Sequence, residues 1–93
     1  MNVREVLRAF QKLGMEIREG RDTLAFFRWE GQLILWTKVP HKRGELRGKL
    51  PHLVRQQLRL NEQQFRALIA CPLGQAEYVE ILRGKGLISS ESQ

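Results

Sequence analysis

The chain predicts an α+β domain in which a three-stranded antiparallel sheet carries helices on one of its faces. Three observations lead there. An opening stretch has helical spacing; two β-prone runs follow, joined by Glu30-Gly31; and a second helical stripe begins after a basic loop. With 93 residues there is room for one modest core and not for two. The reading is one domain over residues 1–93, with the sheet and its first two helices in 3–65, a helical extension in 66–88 and a frayed tail in 89–93.

Val3, Val6, Leu7, Phe10 and Leu13 lie on one helical face. Asn2 stands where a capping side chain belongs and Gly14 where a helix stops. Met15 to Glu19 then alternates apolar and charged, which predicts a half-buried strand, and Glu19 to Asp22 is a turn. Thr23 to Trp29 and Gln32 to Val39 are rich in aromatic and β-branched residues and form a hairpin about Glu30-Gly31. Pro40 ends the third strand because it has no amide for the ladder. Leu50, Leu53, Val54 and Leu58 make the stripe of the second helix, with Pro51 in its first turn, where a missing amide costs nothing. Asn61 to Gln64 has the form of a capping box opening a short helix through Phe65, Leu68 and Ile69, which Cys71-Pro72 ends. Gly74 to Arg83 adds a last amphipathic turn or two, with Tyr78, Ile81 and Leu82 inward.

Helices on one side of a three-stranded sheet leave its other face open. Alternation puts Trp29 with Phe27 and Ala25, and Trp36 with Ile34. These aromatics could stack on bases or meet a second protein surface, but the reading keeps most of them in the core beneath the helices and the extension.

Charge is distributed unevenly. The net charge is +6, and the segment from Lys38 to Leu60 alone carries seven bases and a single acid, Glu45, leaving nine of each sign elsewhere. An anionic partner is expected, with nucleic acid foremost. Lys42, Arg43, Arg47 and Lys49 lead into a helix N-terminus, and His52, Arg55, Gln56 and Arg59 stand opposite the apolar stripe, so this segment is the candidate phosphate-binding surface. The RNA-binding set is Lys42, Arg43, Arg47, Lys49, Arg55 and Arg59. His41 and His52 are the histidines, and metal-free RNA cleavage needs a base of that kind, so His41 is the first candidate and His52 the second. With one cysteine, Cys71, no internal disulfide can form; no cofactor or metal is expected, nor any membrane span, and a reducing, cytoplasmic setting fits.

Several strings resemble the HicA-type toxins. They are the opening helix ending in Leu13-Gly14-Met15, the hairpin after Gly20, Val39-Pro40 closing the third strand, and Glu45-Leu46-Arg47-Gly48-Lys49-Leu50 running into Leu53, Val54 and Leu58. The resemblance covers about Val3 to Phe65, and residues to Ile88 extend beyond the family's module. It implies an α-β-β-β-α fold like a double-stranded-RNA-binding domain, an RNA-binding toxin able to cleave messenger RNA, and a small acidic HicB-like antitoxin as protein partner. The family's chemistry relies on a histidine at the start of the second strand. Here the text is Gly20-Arg21-Asp22-Thr23-Leu24, which puts Asp22 or Thr23 at that position. A nuclease of this sequence would draw its base from elsewhere, and a module that binds RNA or protein without cleaving is the alternative.

Overall fold

The computed structural model describes residues 2–40, 44–46, 48–70 and 72–88. The order is α1 (Val3–Lys12), β1 (Glu16–Glu19), β2 (Asp22–Trp29), β3 (Gln32–Pro40), α2 (Leu50–Gln57), α3 (Glu62–Ala70) and α4 (Gln75–Gly84). The strands pair antiparallel in the order β1-β2-β3. This is the predicted α+β arrangement, α-β-β-β-α followed by two further helices.

Local chemistry sets the helix ends. Asn2 accepts from the Arg4 amide, and Glu5 reaches back to the Asn2 amide, so α1 starts with a reciprocal cap. Asn61 and Gln64 do the same for α3 at 2.7 and 3.0 Å. In α4 the Glu77 carboxylate accepts the Gly74 amide, and the backbone amides of Glu77 itself and of Gly74 hold its pKa below the usual value.

Helices α1, α2 and α4 end alike. The residue after the cap takes a left-handed backbone, and the two amides beyond the cap fold back onto carbonyls of the last turn. In α1 that residue is Gly14 (φ 75°) and in α4 it is Gly86 (φ 79°), but in α2 it is Arg59 (φ 65°). At Gly14 any side chain would also collide with the Gln75 amide, which sits 2.7 Å from where a Cβ would stand and donates to the Leu13 carbonyl. The β2-β3 turn has φ 51° at Glu30 and 84° at Gly31, the pattern of a type I′ hairpin.

One core joins all these elements. Val6, Phe10 and Leu13 of α1 and its cap meet Ala25, Phe27 and Val39 of the sheet, and Val54, Leu68, Tyr78 and Leu82 close over them. Each of the Val, Leu and Phe side chains contributes about 1.5–3 kcal/mol through burial. Tyr78 packs edge-on against Phe27 at 5.1 Å and donates its hydroxyl to the Leu58 carbonyl at 2.9 Å. The last helix, predicted as a turn or two, is ten residues long and supplies part of the centre.

One expectation about burial fails, and one open question is answered. Leu53, counted in the buried stripe of the second helix, is 45 % exposed: α2 has only eight residues, and Val54 with Leu58 suffices to seat it. Trp36 is 50 % exposed, because all helices pack on the other side of the sheet, where Trp29 stacks beside Phe27. A bulge between Phe27 and Arg28 also breaks the alternation. Leu35 pairs with Phe27 and Leu33 with Arg28, so Ile34 is the extra residue and Leu33 joins the open face.

Candidate nucleic-acid interface

The basic segment leaves the sheet at Pro40, which pairs with Asp22, and returns at Gly44, whose carbonyl accepts the Val3 amide at 2.8 Å. Glu45 then bridges Asn2. The turn into α2 uses Gly48 at φ 61°, with Lys49 as N-cap and Pro51 in the first turn. A helix start leaves its first amides without intrahelical acceptors, here those of Lys49, Leu50 and His52, since Pro51 has none. The first turn holds no acidic residue, so its positive dipole end is not neutralised from within.

Beside this helix start lies a cleft of about 280 Å³ lined by Gly48, Pro51, His52, Arg55, Glu62, Phe65 and Arg66. Arg55 is its strut. One guanidinium nitrogen donates to the Leu60 carbonyl at 3.0 Å, tying α2 to the following turn, and another lies 2.7 Å from Nδ1 of His52. A guanidinium only donates, so Nδ1 accepts and the imidazole carries its proton on Nε2. His52 therefore offers an N–H donor and has its lone pair engaged, an arrangement suited to holding a phosphate oxygen rather than taking a proton. Arg66 adds a second cation and Glu62 a single carboxylate.

The sequence-predicted residues separate into groups. Lys49, His52 and Arg55 come together at the start of α2. Arg59 lies past the other end of that helix, lining a different cleft with Ile34, Leu35, Trp36 and Gln57. Asp22 is the first residue of β2, paired with Pro40 and 3.8 Å from Lys38. Thr23 faces the core and is only 3 % exposed, which keeps its hydroxyl from a bound RNA. His41, Lys42, Arg43, Arg47 and Cys71 lie outside the described residues. Among the described residues no three His, Cys, Asp or Glu side chains converge as a metal site, and no helix is long and apolar enough to cross a membrane.

Glu62 and Arg66 escaped the sequence reading. Their i, i+4 spacing around Phe65 puts all three on one side of α3, but only tertiary packing turns that side toward α2. On the open face, Glu16 is held between Arg18 at 2.9 Å and Arg28 at 3.1 Å, and those two hydrogen bonds, the Arg18 one foremost, lower its pKa. Arg18 also lies 5.8 Å from the centre of the Phe26 ring. Comparison with models of known protein families, with curated proteins and with solved structures finds no match for this chain.

Proposed function

We propose that this protein is a cytoplasmic RNA-binding protein of the HicA-like kind, one half of a toxin and antitoxin pair, and that it grips the RNA backbone with the start of α2. The observation that carries this reading is the convergence of Arg55, Arg66 and an N–H-donating His52 on one cleft, with Glu62 its single carboxylate, beside a helix start that has Lys49 as N-cap and no acidic residue in its first turn. The α-β-β-β-α order and the basic sequence ahead of α2 support it, because folds of this type bridge phosphates across a duplex groove with a basic helix start. A net charge of +6 suits both the RNA and a small acidic antitoxin.

The geometry favours binding over cleavage. At the position of the family's histidine, Asp22 pairs with Lys38 and Thr23 is buried, while His52 has its lone pair engaged by Arg55. A ribonuclease would then depend on His41 as general base. The test is a salt titration of duplex RNA affinity. Backbone contacts release counterions, so log affinity should fall linearly with log salt, and Lys49→Ala with Arg66→Ala should reduce the slope by roughly one for each phosphate no longer neutralised. Salt-independent binding, or an unchanged slope in the double variant, refutes the site. Cleavage of a mixed RNA that His41→Ala abolishes would restore the ribonuclease reading.

A further inference from the structure

A second cleft, of about 360 Å³, opens where the edge strand β3 meets the end of α2, and it is built differently from the first. Its floor is the edge of β3 at Ile34 and Leu35. Its wall is Trp36, half exposed and propped against Phe26 at 6.4 Å between ring centres, so the indole presents a face without collapsing onto the sheet. Gln57 is held in place: the hydroxyl of fully buried Thr37 donates to its Oε1, which leaves the amide nitrogen as the group with two N–H donors to offer. Arg59 supplies the positive charge, and among the described residues no acidic side chain lines the cleft.

Arg59 is also where the backbone would be best served by glycine. The equivalent positions after α1 and α4 are Gly14 and Gly86, whereas α2 places an arginine in the left-handed region. Backbone strain retained by a charged side chain at the mouth of a cleft points to a use for that charge.

Building on the RNA-binding reading, we propose that this cleft takes an unpaired RNA nucleotide that spans the edge of β3: the base stacks on Trp36 at the open face, and Arg59 and the Gln57 amide, on the α2 side, meet the adjoining phosphate. The volume falls within the range of about 300–1,000 Å³ usual for small-molecule sites. Duplex RNA cannot fill it, because its bases are already paired and stacked. A protein surface suits it less well, since the open face around Trp36 is broken by the Glu16-Arg18, Glu16-Arg28 and Asp22-Lys38 pairs. A second copy of this chain would bring another net charge of +6.

The experiment compares a fluorescein-labelled oligouridylate with a fully paired RNA duplex by anisotropy, and records the sedimentation of each protein. Loss of one base-aromatic stack corresponds to roughly 5- to 150-fold in affinity, so Trp36→Ala should weaken oligouridylate binding by that factor and leave duplex binding unchanged, with Trp36→Phe retaining most of it. Trp36 is half exposed, so its truncation spares the core. Arg59→Gly, which suits the local backbone, should also weaken the oligouridylate while leaving the fold intact. Unaltered oligouridylate affinity in Trp36→Ala, or an equal loss on duplex, overturns the site but not the RNA reading. Absence of binding to either RNA in the wild type takes down both. A wild-type dimer that Trp36→Ala makes monomeric assigns the surface to a second copy and overturns the nucleotide site.

Discussion

Replacing Tyr78 by Phe removes a single oxygen from the centre of the molecule. The ring keeps its edge-on contact with Phe27, so the change isolates the hydrogen bond from the Tyr78 hydroxyl to the Leu58 carbonyl. A typical buried bond contributes about 0.5–1.5 kcal/mol, and leaving a buried carbonyl without its partner costs about 1–3 kcal/mol, so the loss should fall near 1–3 kcal/mol. Tyr78→Leu also forfeits the aromatic pair, a further 0.5–1.5 kcal/mol or so. Urea unfolding measures both. A Phe variant within about 0.3 kcal/mol of wild type would show that the bond contributes nothing, a difference smaller than most single-site effects. Alkaline pH gives a second readout, because burial pushes the phenol above its ordinary value of 10.0. The unfolded chain then ionises first, so the contribution is complete below pH 10 and is lost as pH rises toward the folded pKa. Tyr78 is the only tyrosine, so its phenolate absorbance can be followed directly, and Tyr78→Phe should remove that part of the alkaline decline. Ionisation of the native phenol at its ordinary pH would refute the burial.

Glu16 should titrate below the ordinary 4.5 in a carboxyl NMR experiment, and its stabilisation, present above that pH, should disappear as pH falls through the lowered value. Arg18→Ala should raise the Glu16 pKa more than Arg28→Ala, and no response to either would disprove the pairing. Arg59→Gly should raise stability by about 1 kcal/mol in urea unfolding, since it relieves a left-handed backbone at a helix stop, and a lower stability would show that the arginine side chain holds the turn.

Much of the fold was legible because short-range chemistry writes it. Asn2, Gly14 and the Asn61 to Gln64 box mark helix ends through bonds spanning a few residues, and the structure uses all of them. Glu30-Gly31 set the hairpin in the same way. Spacing alone failed at Leu53 and left Trp36 undecided, because a period says which residues share a face but not whether anything covers it. The candidate site was partly legible. Charge counting found Lys49, Arg55 and Arg59, yet the division of Arg55 and Arg59 between two clefts depends on α3 and β3 meeting opposite ends of α2, and no local pattern encodes that. The tautomer of His52 depends on the side chain of Arg55, one turn away, choosing it as an acceptor.

The bulge at Ile34 bears on how the hairpin can change length. Inserting or deleting one residue within a strand normally turns every later side chain to the opposite face, and folding fails. Here the ladder pairs Arg28 with Leu33 and Phe27 with Leu35, so removing Ile34 would leave a regular hairpin with Leu35 still inward and Trp36 still outward. The strand thus has one place where an indel is silent with respect to sidedness, and related chains with a hairpin shorter by one residue are expected to lack that residue. The same surplus residue guards against slippage, because a hairpin displaced by one step would have to move the bulge as well as the turn.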